Sequence, residues 1–222
     1  MNPTATCLLM VIAGYLIGAV PFGLLVGRWR GIDVRKDGSG NIGATNVGRL
    51  LGVRWGLLVF ALDVSKGLIP VLVAGRVLFA MPAASADPAP WWLYPTWLMT
   101  GLACVLGHVF PIHLRLRGGK GVATCLGVVL GVWPMFTLPG LIAFVVFVVT
   151  VLITRYVAVG SIAAVAVFPV AYLGLRHLSD WPAASDRYLL PFAIVLPVLV
   201  IWRHRANLQR LWAGTENRIG RK

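Results

Sequence analysis

Five stretches of the chain carry no Asp, Glu, Lys or Arg: residues 6–27, 91–114, 121–154, 157–175 and 188–202, of 22, 24, 34, 19 and 15 residues. A helix needs about 20 apolar residues to cross a bilayer core, so each stretch is a candidate span. None alternates apolar and polar residues with period 2, which sets aside a membrane barrel and leaves helices. Residues 121–154 are too long for one crossing. Trp133-Pro134 and Pro139-Gly140 interrupt them, predicting a short span over 122–133, an outer hairpin, and a second span over 136–153. A further span over 55–79 is needed to connect the loops on either side, although it contains Asp63 and Lys66, i,i+3 neighbours on one helix face. The pattern predicts an all-α polytopic bundle of about seven transmembrane helices, forming one integral membrane domain over 1–222. Residues 1–5 carry no basic side chain and the apolar run behind them exceeds a signal-peptide core, so 6–27 is expected to remain as a span.

Composition removes the soluble alternative. Of 222 residues, 59% are hydrophobic and 12% charged, with a mean hydropathy of +0.84, more apolar than a domain with a water-facing surface tolerates. The net charge of +13 would suggest nucleic acid in a soluble protein. Here the basic residues sit between apolar runs, so no nucleic-acid partner is expected, and the lipid bilayer and anionic ligands account for them. The connection 28–54 holds six Lys/Arg, 81–90 holds none and 203–222 holds six. Lys and Arg collect on the cytoplasmic side, which places the N-terminus outside and the C-terminus inside. Only Arg76, Arg176, Arg187 and Lys66 of the 20 Lys and Arg depart from that side. Asp180 and Asp186 fall in an outer loop, and Trp91, Trp92, Tyr94 and Trp97 fit an outer aromatic belt. Cys7, Cys104 and Cys125 lie in apolar runs without metal-ligand spacing and read as small buried side chains.

Candidate chemistry lies in three segments on the predicted inner side. The first, Asp37-Gly-Ser-Gly-Asn-Ile-Gly-Ala-Thr-Asn-Val-Gly-Arg49, combines glycines that let backbone N–H groups converge with the hydroxyls, amides and cation that bind phosphate. A helix starting at Ala44 would add its free N–H groups. The second runs from Gly107-His108 to Arg115, Arg117 and Gly118-Gly-Lys-Gly-Val-Ala-Thr124. It resembles a P-loop, but Leu114 and Gly121 break the Walker spacing and no acidic partner for magnesium follows. A metal-independent phosphate cradle is the reading, with no metal and no cofactor. In the third, Trp202-Arg-His-Arg-Ala-Asn-Leu-Gln-Arg-Leu-Trp-Ala-Gly-Thr-Glu216, a helix would place His204, Asn207 and Leu211 on one face.

The strings Ser39-Gly-Asn-Ile-Gly-Ala-Thr-Asn-Val, Gly118-Gly-Lys-Gly-Val-Ala-Thr and Arg203-His-Arg-Ala-Asn, with Asp63-Val-Ser-Lys-Gly67, resemble the signature segments of the bacterial acyl-phosphate:glycerol-3-phosphate acyltransferases, over nearly the whole chain. The resemblance implies transfer of a fatty acyl group from acyl phosphate to the 1-hydroxyl of sn-glycerol 3-phosphate, giving lysophosphatidic acid and inorganic phosphate. It further implies a multi-pass protein of the bacterial inner membrane with its site facing the cytoplasm, and a partner enzyme that supplies acyl phosphate. Carried over by position, Ser39, His204 and Asn207 serve catalysis, and Asn41, Thr45, Asn46 and Arg49 bind phosphate. Gly118, Gly119, Lys120 and Gly121 bind glycerol phosphate, and Asp63, Lys66 and Glu216 are structural.

Acyl phosphate is already activated, so a protein need only dock two anions, orient the alcohol and stabilise charge on the carbonyl oxygen. No Gly-x-Ser-x-Gly elbow or His/Asp pair accompanies Ser39, which favours direct attack over an acyl-enzyme. Acyltransferases with thioester donors carry an Asp after a His and four intervening residues; the corresponding positions here, 113, 118, 182 and 209, hold His, Gly, Pro and Gln. The base is either His204, since histidine titrates near neutrality, or an oxygen of the substrate phosphate. A transporter of phosphorylated small molecules is the alternative function, with glycines and cations lining a pathway. Against it stand the one-sided loops and the lack of an inverted repeat.

Overall fold

The computed structural model describes residues 2–86, 89–179, 181 and 185–220; Asp180, Arg221 and Lys222 of the loop assignments lie outside the described residues. The α-helices are α1 (Pro3–Gly18), α2 (Phe22–Trp29), α3 (Ala44–Leu51), α4 (Val53–Phe79), α5 (Leu93–Val109), α6 (Val122–Gly131), α7 (Thr137–Thr154), α8 (Val157–His177), α9 (Asp186–Arg203) and α10 (Arg205–Trp212), with no strand among the described residues.

Five helical stretches are long and apolar enough to cross a membrane: Pro3–Trp29, α4, Leu93–Leu114, α7 and α8. The pair α9 and α10, bent by 52°, makes a sixth if counted as one. The expected span over 122–133 is instead the ten-residue helix α6, about 15 Å long at 1.5 Å per residue and half a bilayer core. It stops at Gly131, where Val132, with ψ of 67°, leaves helical geometry two residues before Pro134. Pro139-Gly140, read as part of the hairpin, lies inside the first turn of α7, where the N–H that proline lacks would have no helical partner. The first span is also interrupted. Pro21 cannot donate to the Ile17 carbonyl, so the chain breaks between α1 and α2.

The chain divides into two compact units, Met1–Val132 and Trp133–Lys222. In the first, α1 and α4 pack on α5, while α3 and α6 pack on α4. Small residues bring these backbones together. A Cβ on Gly18 would collide with the Cys104 backbone, one on Gly67 with the Thr124 carbonyl, and one on Gly127 with the Val64 carbonyl. In lipid no hydrophobic drive joins helices, so such close contact supplies much of the attraction. The Tyr15 hydroxyl donates to the Phe110 carbonyl at 2.7 Å. Trp97, expected in the outer belt, is buried, its indole N–H donating to the Val71 carbonyl at 2.9 Å. Phe79 packs edge-on against it, so the indole gains more from α4 than from the interface, where Trp91 stays 75% exposed.

In the second unit α8 packs against α7 and α9. Phe136, Phe168, Tyr172 and Phe192 form its aromatic centre. Asp186, at the start of α9, accepts from the Tyr172 hydroxyl at 2.8 Å and from Arg176 Nε, which ties α9 to the end of α8. Leu8, Leu9, Ile12 and Leu16 on α1, and Leu152 and Ile153 on α7, are exposed; on a soluble protein such rows would aggregate, and here lipid covers them.

Candidate active site

The first segment is a loop wound around one amide. Asn46 is 2% exposed. Its Oδ1 accepts the Ser39 N–H at 2.8 Å and Arg49 Nη1 at 3.2 Å, while Nδ2 donates to the carbonyls of Val34 at 2.9 Å and Asp37 at 3.1 Å. All four hydrogen-bonding positions of the amide are thereby used within the loop. Gly38 and Gly40 have φ of +63° and +68°, a left-handed geometry that glycine adopts at little cost. A Cβ on Gly38 would also strike Asn46 Oδ1. Asn41 Oδ1 accepts the Gly43 N–H at 2.9 Å, closing the turn ahead of α3. α3 does start at Ala44, and Gly43 provides no side-chain cap. Ser39, Thr45 and Arg49 are exposed around this frame. At its entrance, the Arg35 guanidinium grips Asp33 and holds that carboxyl well below the usual carboxylate range.

The second segment returns along the end of α5. Gly118 N–H donates to the Val109 carbonyl and Gly119 N–H to the His108 carbonyl, each at 3.1 Å. A Cβ on Gly118 would collide with the His108 carbonyl, and one on Gly119 with His108 Nε2. Gly121, with φ of +81°, turns the chain into α6. Lys120 is half-buried between them. Both segments rest on one apolar floor: Val34, Ile42 and Val47 of the first pack with Leu24, Val26 and Val59, and Leu114 of the second packs against the same cluster.

Behind the second segment lies a polar group that sequence reasoning left without a role. His108 is 5% exposed. Its Nδ1 stands 3.1 Å from Thr124 Oγ1 and 3.6 Å from Asp63 Oδ1. Asp63 pairs with Lys66 at 2.7 Å, and Lys66 Nζ donates at 2.8 Å to the Val20 carbonyl at the break between α1 and α2. The signal in the sequence was a histidine in an otherwise uncharged run, and the partner that gives it meaning sits on another helix.

The third segment belongs to the second unit. His204 is not inside one helix, as expected, but at the junction of α9 and α10. It is 2% exposed, and its Nδ1 contacts the Val200 carbonyl at 2.8 Å. A carbonyl only accepts, so Nδ1 carries a proton, and when the ring is neutral its lone pair is on Nε2. Asn207, 4% exposed, donates through Nδ2 to Glu216 Oε1 at 2.7 Å, and Arg210 Nε donates to Oε2 at 2.7 Å. Glu216 thus orients an asparagine and an arginine at once. The tail beyond it is held by the Ile219 N–H donating to the Arg155 carbonyl at 2.8 Å, with Arg218 over the Tyr156 ring.

Glycine loops carrying a lysine and an arginine can bind anions, and the tautomer of His204 can accept a proton. Residues 8–214 match the family model for glycerol-3-phosphate acyltransferase. The chain belongs to the glycerol-3-phosphate acyltransferase family. It is 44% identical over 214 residues to the glycerol-3-phosphate acyltransferase of Geobacter sulfurreducens, covering 96% of this chain and 97% of that one. With the glycerol-3-phosphate acyltransferase of Aquifex aeolicus it shares 42% identity over 212 residues, 96% and 98% of the two chains. The fold is similar to the crystal structure of PlsY (YgiH), an integral membrane glycerol 3-phosphate acyltransferase, in its glycerol 3-phosphate form, with a TM-score of 0.78, 40% identity and 96% of each chain covered. The lysophosphatidic acid form of PlsY gives 0.76, 39%, and 96% and 95%. In this integral membrane member of the glycerol-3-phosphate acyltransferase family, the first unit packs Ile42 and Val47, from the segment that carries Ser39, Asn41, Thr45, Asn46 and Arg49, into the same apolar cluster as Leu114, four residues before Gly118, and the second unit holds His204, Asn207 and Glu216.

Proposed function

We propose that this protein transfers a fatty acyl group from acyl phosphate to the 1-hydroxyl of sn-glycerol 3-phosphate. The attacking oxygen bonds to the acyl carbon, the bond to the phosphate oxygen breaks, and lysophosphatidic acid and inorganic phosphate result. The observation that carries this reading is that two glycine-rich, cationic segments pack against one apolar cluster, the first through Ile42 and Val47 and the second through Leu114, four residues before Gly118, because the reaction presents two phosphates. Ser39, Asn41, Thr45 and Arg49 hold one phosphate from the Asn46-wound loop, and Gly118, Gly119, Lys120 and Gly121 hold that of glycerol 3-phosphate. Pinning two anions near each other pre-arranges the attack and accounts for the absence of a need for a protein nucleophile.

His204 takes the hydroxyl proton through Nε2, a role supported by the Nδ1 contact to Val200 that fixes the tautomer. Asn207, aimed by Glu216, donates to developing charge. The charge pattern supports a site facing the cytoplasm of the bacterial inner membrane, where a second enzyme supplies acyl phosphate.

Purified protein in detergent, given acyl phosphate and glycerol 3-phosphate, is expected to release phosphate only when both are present, with lysophosphatidic acid appearing in equal amount by mass spectrometry. Transfer from an acyl thioester but not from acyl phosphate overturns the donor assignment. Movement of glycerol 3-phosphate into vesicles without acylation favours the transporter.

A further inference from the structure

We propose that His108 is a positioning residue for the glycerol 3-phosphate cradle, setting the height of Gly119 and hence the placement of Lys120 through an edge-on ring held from behind by Thr124, with Asp63 next to it. The inference rests on the function proposed above and deepens it.

Three observations converge on this ring. It lies at the end of α5 with its own carbonyl receiving the Gly119 N–H at 3.1 Å, so backbone and side chain of one residue both meet the same glycine. The Nε2 edge occupies the space a Cβ on Gly119 would need, which makes the ring the surface on which this part of the loop rests. The opposite edge is fixed: Nδ1 stands 3.1 Å from Thr124 Oγ1 on α6 and 3.6 Å from Asp63 Oδ1 on α4. A ring gripped on one edge cannot swing away from the glycine on its other edge.

Such a cluster is costly as packing alone. Asp63, Lys66, His108 and Thr124 are all buried at 5% exposure or less, and polar groups at that depth are stabilising only when paired. An apolar quartet would join α4, α5 and α6 with less desolvation. What the polar version adds is direction: hydrogen bonds fix the orientation of a ring, whereas apolar contacts tolerate rotation. Lys66 extends the tie to the Val20 carbonyl at 2.8 Å, so the α1–α2 junction is braced by the same group that carries the ring.

The two edges of the ring can be tested apart. His108→Asn places an amide near the Nδ1 position and keeps the link to Thr124, but removes the edge under Gly119. His108→Gln reaches the Nε2 position and restores that edge. The expected result is a rise of about tenfold in KM for glycerol 3-phosphate in His108→Asn, with kcat within about twofold and KM for acyl phosphate unchanged, and recovery of most of the loss in His108→Gln. A size swap gives the second arm. Gly119→Ala should be severe in the native background and nearly silent in His108→Asn, where the methyl group enters the vacated space, both in KM and in thermal stability in detergent. Unchanged KM values in both His108 variants overturn the inference, as does a Gly119→Ala penalty of equal size in both backgrounds. Failure of the parent protein to release phosphate overturns the proposed function instead. The thermal-stability cycle then still decides whether His108 supports Gly119.

Discussion

Asn46→Ala removes the amide around which the first loop is wound. The substitution deletes two donated and two accepted hydrogen bonds, to Val34, Asp37, Ser39 and Arg49. A typical hydrogen bond contributes about 1 kcal/mol net, and three of the four partners are backbone groups, so a loss of about 3 kcal/mol in the loop's folded geometry is the working figure. If the bound state needs that geometry, about 3 kcal/mol corresponds to a fall in kcat/KM on the order of a hundredfold. Asn46→Asp should be no better, because it keeps the two acceptors but turns both donors into lone pairs facing carbonyls. The test combines phosphate-release kinetics with amide exchange at Ser39, whose N–H is held by Asn46 at 2.8 Å. Faster Ser39 exchange together with lower kcat/KM is expected. A variant that keeps Ser39 protected while losing only substrate affinity would refute the argument and make Asn46 a direct ligand.

Glu216→Gln should lower kcat about tenfold by loosening Asn207 and Arg210, and it should couple to Asn207→Ala by about 1 kcal/mol in a double-mutant kinetic cycle; strict additivity would separate the two residues. Gly67→Val should cost about 2 kcal/mol of stability in detergent by overpacking against the Thr124 carbonyl. Gly174→Ala, where nothing beyond its own stretch of helix lies within 4 Å of the new methyl group, should be neutral or slightly stabilising in the same thermal assay. Single cysteines introduced at 38–49, 115–120 and 206–220 are expected to label from the cytoplasmic side and those at 83–86 from the opposite side; labelling of both groups from one side would break the topology.

The sequence by itself located most of the long apolar helices, because a spanning helix satisfies its own backbone and its apolar length is a local property. It also marked the candidate loops, since glycine, lysine and hydroxyl residues keep their character wherever the chain places them. What it could not determine was the work of each side chain. Asn46 looks like a phosphate ligand in a string of polar residues, yet its four hydrogen-bonding positions are taken by its own loop. Trp97 looks like a belt residue until Phe79 and Val71 on α4 provide it a buried place. The predicted span at 122–133 has the right hydropathy, but only ten of its residues are helical. His108 acquires meaning only beside Asp63, Thr124 and Gly119, which belong to α4, α6 and the loop between α5 and α6. Hydropathy and backbone geometry act over neighbouring residues, whereas the pairing of a buried polar group depends on which distant helix arrives next to it, and packing alone settles that.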